Sequence, residues 1–78
     1  MDIDNLIHMA NRIGQFFEAF PDEAEARDGI AQHIAKFWEP RMREELLAHI
    51  DSGSAATLLP LVRNAVLDHR ASLQRHAA

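Results

Sequence analysis

The chain contains no cysteine, one tryptophan, one lysine, and only three glycines and three prolines among 78 residues. Without cysteine there is no disulfide, no thiolate metal site or cluster, and no cysteine nucleophile. The glycines stand isolated at 14, 29 and 53, so no glycine-rich phosphate loop is present. No apolar run approaches the roughly 20 residues that a membrane-spanning helix requires. The opening, MDIDNLIHMANRIG, begins acidic and alternates polar with apolar, unlike the basic start and continuous apolar stretch of a secretion signal. The expected location is the cytoplasm, with no membrane partner.

A chain of this length is expected to form one small helical domain spanning residues 1–78. Such a domain buries only roughly 60% of its unfolded surface, so its stability rests on a well-packed core or on a partner. Formal net charge is −4, distributed as −5 over residues 1–39 and +1 over residues 40–78. Proteins that hold nucleic acid through phosphates carry a basic excess on one face. Nothing here meets that description, and no nucleic-acid partner is expected.

What is present is helical periodicity. Behind Asp2 or Asp4 as N-cap, Ile3, Leu6, Ile7, Ala10, Ile13, Phe17 and Phe20 recur at three- and four-residue spacing. Gly14 interrupts this stripe and points to a close helix approach. In FPDEAEA, Phe20 precedes Pro21, Asp22 is a capping residue and Glu25 follows three positions later, as in a capping box. The second helix presents Ala26, Ile30, Ile34, Phe37 and Trp38, and Pro40 should end it near Trp38. A third helix is expected from Pro40 to about Ile50, with Met42, Leu46, Leu47 and Ile50 as its stripe. DSGS at 51–54 reads as a loop. A last helix should run from Leu59 or Pro60 to Arg75, burying Leu61, Val62, Ala65, Val66, His69 or its neighbour, and Leu73. The expected architecture is all-α, a small antiparallel bundle of about four helices with a proline-marked corner between the second and third.

The residues that carry chemistry elsewhere are poorly arranged for it here. His8, His33, His49, His69 and His76 are scattered, without the H-E-x-x-H or Glu-x-x-His spacing that sets two ligands on one helical face. Glu45 and His49 share a face at i, i+4, and a surface ion pair explains them. The serines lie at 52, 54 and 72, away from any strained elbow. Carboxylates cluster only at the start of the second helix, where capping and the helix dipole account for them. No catalytic, metal or cofactor-binding residue is expected on this chain. A small helix-turn-helix nucleic-acid-binding domain across Pro40, with Arg41 and Arg43 in the first turn of the next helix, stays open as a lesser alternative, although base-reading side chains are absent at 44–50.

The stretch AKFWEPRMREELL, residues 35–47, is the most distinctive. Phe37 and Met42 read as core, while Trp38, Arg41 and Arg43 read as an exposed corner that Pro40 holds rigid. Trp and Arg are enriched where interfaces concentrate their binding energy. The expected protein-interface residues are therefore Phe37, Trp38, Arg41, Met42 and Arg43, with Arg63 and His69 as secondary candidates.

Three stretches, the LIxMANxIGxFF pattern near the start, HIxxFWxPRMR in the middle and LxPLVRxA late in the chain, occur in order. Over Met1 to about Arg70 the chain resembles the delta subunit of NAD-dependent, molybdenum-containing formate dehydrogenases. The resemblance implies a non-catalytic accessory subunit docked on the catalytic (alpha) subunit and supporting assembly, cofactor insertion or stability. In such complexes other subunits hold the molybdenum cofactor, the iron–sulfur clusters, FMN and the NAD site, and this chain would bind none of them. In isolation it could form a homodimer. The alternative within the same system is a transient chaperone that holds the molybdenum cofactor through Lys36, Arg41 and Arg43. One position departs from the family pattern: a small polar cap often precedes the proline of the last motif, and here it is Leu59, leaving Thr57 or Ser54 as alternative caps.

Overall fold

A computed structural model describes residues 2–74 and is all-helical over that range: α1 (Ile3–Phe17), α2 (Glu23–Phe37), α3 (Pro40–Asp51), α4 (Pro60–Asp68) and α5 (Arg70–Leu73). The local signals explain most of the boundaries. Asp2 caps α1, its carboxylate accepting the Asp4 N–H at 3.0 Å, and Asp22 caps α2 in the same way through Ala24 at 3.0 Å. Glu39 precedes proline and is extended (φ −66°, ψ 150°), and Pro40 opens α3 at its first position. The end of α3 is a Schellman turn. The Ser54 N–H returns to the His49 carbonyl at 2.9 Å and the Gly53 N–H to that of Ile50 at 3.1 Å. Gly53 sits at φ +77°, where a side chain would be strained.

The last expected helix is divided. Its backbone leaves helical geometry at His69 (φ −112°, ψ 23°), so α4 stops at Asp68 and a single further turn forms α5. The break turns Leu73 into the core, where only 1% of its surface remains exposed. It also sets Arg70 against Asp51 at the end of α3, through two hydrogen bonds of 3.0 and 2.5 Å. Arg75, the expected terminus of that helix, lies outside the described residues.

One apolar core joins all five helices, with Ile30, Ile34, Leu46, Val62, Val66 and Leu73 as its largest fully enclosed side chains. Each contributes about 1.5–3 kcal/mol by leaving water. α2 packs most extensively on α4, and α1 closes over both. Gly14 is a point of close approach: a Cβ there would collide with Cγ2 of Val62 and lie 3.3 Å from Leu59. Among the described residues no helix is long and apolar enough to cross a membrane.

A candidate docking surface

The expected corner does not stand as a unit. Trp38 is the C-cap of α2, with an extended backbone (φ −90°, ψ 141°) and its N–H still bonded to the Ile34 carbonyl at 3.0 Å. That turn swings the indole inward, so Trp38 joins the core at 6% exposure. Phe37, expected in the core, is 64% exposed. The two neighbours have exchanged places because the backbone leaves the helix between them. The buried stripe of α2 is Ala26, Ile30, Ala31 and Ile34. Phe37 ends the helix beside His33, one turn back, and the extended backbone of Trp38 carries the indole across to that stripe.

The remaining candidates divide between core, tether and surface. Met42 packs against the core as expected. Arg43 is half-buried and donates from Nη1 to the Ala35 carbonyl at 3.0 Å, while its Nε is enclosed without a partner. It ties α3 back to α2 and is not a free basic residue. Arg63 donates to the Ala55 carbonyl at 3.3 Å, holding the loop before α4. His69 lies 3.7 Å from the Asp28 carboxylate. Of the corner set, Arg41 and Phe37 face solvent.

Phe37 belongs to a different surface, one the sequence did not announce. Phe16 is 68% and Phe20 37% exposed at the end of α1. With Phe17 they form an aromatic cluster: Phe16 meets Phe17 edge-on at 5.0 Å between centroids, and Phe17 meets Phe20 at 5.0 Å. An open, almost wholly apolar pocket of about 330 Å³ lies between α1 and α2, lined by Ile13, Phe16, Phe17 and His33. The His33 ring packs on Phe37 at 4.7 Å, and Lys36 Nζ sits 5.5 Å from the Phe37 centroid. The result is a continuous strip from Phe20 to Phe37. The signal in the sequence was the adjacent pair Phe16–Phe17. Neighbours on a helix point about 100° apart, and here Phe17 turns onto Gly29 while Phe16 turns to solvent.

Elsewhere the side chains that resemble catalytic machinery do local structural work. His49 Nδ1 lies 2.8 Å from Ser54 Oγ, and its Nε2 is 3.8 Å from Glu45. This has the composition of a serine triad, but the acid is beyond the roughly 3.2 Å reach of a hydrogen bond. Both Ser52 Oγ and Ser54 Oγ donate to the His49 carbonyl, at 3.2 and 3.3 Å, which finishes α3. No group of three or more potential metal ligands is gathered among the described residues.

Fold and surface together define a small all-helical protein with an aromatic strip open to solvent. Its sequence matches the NADH-dependent formate dehydrogenase delta subunit family, FdsD, over residues 5–66. The chain therefore belongs to the formate dehydrogenase delta subunit family. No curated protein and no solved structure matches it.

Proposed function

We propose that this chain is an accessory subunit without an active site of its own, docking on the catalytic subunit of a cytoplasmic, NAD-dependent, molybdenum-containing formate dehydrogenase. There it supports assembly, cofactor insertion or stability of the enzyme, acting as one helical domain. Membership of the delta subunit family carries the reading. A cysteine-free sequence, unable to ligate an iron–sulfur cluster through thiolates, is consistent with it. The molybdenum cofactor, clusters, FMN and NAD then belong to the other subunits.

The exposed strip supplies a physical reason to seek a partner. Soluble monomers rarely leave contiguous aromatic surface in water, and such patches mark interaction sites. On this reading Phe37 remains an interface residue and Arg41 stands at its margin, while Trp38, Met42, Arg43, Arg63 and His69 shape the scaffold behind it.

The test is co-expression of the tagged full chain with the other formate dehydrogenase subunits. The catalytic subunit should co-purify, and omitting this chain should lower formate oxidation per molecule of catalytic subunit, with a matching loss of bound molybdenum or of thermal stability. Stoichiometric retention in the active enzyme marks a permanent subunit, and its absence from otherwise complete enzyme marks a transient factor. An enzyme of unchanged composition, activity and stability without this chain would sink the proposal.

A further inference from the structure

The aromatic strip is polarised. At the Phe37 end Lys36 sits over the exposed ring, and Arg41 follows four residues later, within about 14 Å of chain. Arg12 stands one turn before Phe16 on α1, as an i, i+4 neighbour. All three cations are exposed, and none pairs with an acid among the described residues. The Phe20 end is acidic: Glu18 and Glu23 line a depression there with Phe17, Phe20 and Pro21. The strip's middle is concave, at the pocket lined by Ile13, Phe16, Phe17 and His33.

We propose that this strip seats one amphipathic helix of the partner subunit, with a large apolar side chain in the central pocket and an acidic residue toward Lys36 and Arg12. This deepens the accessory-subunit reading and rests on it. The shape selects a helix. α1 and α2 satisfy their own backbones, and no strand edge exists among the described residues, so an extended segment would find no main-chain partners. A helix carries its backbone bonds with it and presents only side chains to the seat.

The concavity also selects against a second copy of this chain. A two-fold interface must be complementary to itself. Pairing the strip with its own copy sets pocket against pocket and leaves a void that close packing disfavours. A heterologous helix fills the pocket and offers Lys36 and Arg12 their missing counter-charge. Its own basic end would then lie beside Glu18.

The test uses the full tagged chain co-expressed with the formate dehydrogenase subunits. Phe16→Ser with Phe37→Ser should keep the helical circular dichroism and lower capture of the catalytic subunit at least about tenfold, as loss of central aromatic anchors does. Should that double variant fold poorly, Lys36→Glu with Arg12→Glu reads the same seat through charge, and capture should fall several-fold. A photo-crosslinking amino acid in place of Phe16 should label a partner segment with helical apolar periodicity and flanking Asp or Glu. If the wild-type chain captures the subunit but both double variants capture it equally well, the seat is wrong and the accessory role stands. A cross-link to a second copy of this chain, or to an extended or basic segment, overturns the seat in the same way. Failure of the wild-type chain to capture any subunit overturns both.

Discussion

Asn11 and Leu59, 48 residues apart, share a hydrogen bond that ties α1 to the start of α4. The Asn11 side-chain oxygen accepts the Leu59 N–H at 2.8 Å, and its amide nitrogen donates to the Thr57 carbonyl at 3.0 Å. Leu59 is the N-cap of α4 and has no capping side chain of its own. Neither Thr57 nor Ser54 takes that part. In a capping box, an acidic or amide side chain at the third helical position returns to the N-cap N–H. That position is Val62 here, which is fully buried and cannot be polar. Asn11 supplies the missing acceptor from another helix.

Asn11→Ala should therefore lower unfolding free energy by about 1–2 kcal/mol, since it orphans a donor and an acceptor in the same loop. Asn11→Asp should be intermediate, keeping the acceptor for Leu59 while setting a carboxylate against the Thr57 carbonyl. Urea midpoints of the three proteins give the order directly. Equal midpoints for Asn11→Ala and wild type would show the clamp to be idle.

Gly14 lies one turn further along α1 and faces the same helix. In an exposed helix, Gly→Ala stabilises by about 1 kcal/mol. Here the new methyl meets Val62 and Leu59, so Gly14→Ala should destabilise by about 1–3 kcal/mol through overpacking. Val62→Ala removes the obstructing methyl group. The cost of Val62→Ala should consequently be smaller in the Gly14→Ala background than in wild type, a coupling that a double-mutant cycle measures. Strict additivity would mean that the two helices do not touch at this point.

Phe37 and Trp38 offer the sharpest contrast between neighbours. Trp38→Ala empties a core position and should cost about 3–5 kcal/mol. Phe37→Ala, at an exposed site, should change stability by no more than about 0.5 kcal/mol. Thermal melts of the two variants separate these outcomes. Comparable losses would place both rings in the core.

This pair also shows where sequence reasoning reached its limit. The spans of the first three helices, an aspartate cap at Asp2 or Asp4, the Asp22 cap, the Pro40 corner and the close approach at Gly14 were legible, because each depends on neighbouring residues or a short period. Which aromatic faces inward at the end of α2 depends on how the backbone leaves the helix at Trp38, and periodicity carries no information once φ and ψ change. The break at His69 and the reach of Asn11 to Leu59 are tertiary, fixed by what α5 and α1 pack against. The aromatic strip was half legible. Phe37 lay in the stretch that stood out, but its companions Phe16, on α1, and Phe20, just past its end, share a face with it only through the fold.

Arg70 and Asp51 give the last prediction, in pH. The Arg70 guanidinium holds the Asp51 carboxyl below its usual value chiefly by hydrogen bonding, with Coulomb attraction adding to it and desolvation opposing. A carboxylate whose folded pKa is depressed stabilises the fold above its unfolded pKa, about 3.9, and that contribution is lost as pH falls through the lower folded value. Arg70→Leu should lower the melting temperature at pH 7 relative to wild type. The difference should shrink as pH falls below the unfolded value of about 3.9 and through the lower folded one, and should also narrow in molar salt, because the pair is exposed. Melting temperatures of both proteins across pH 2–7 provide the check. A gap that persists unchanged at low pH would mean that Arg70 acts through packing of its aliphatic stem against the end of α3, with the charge contributing nothing.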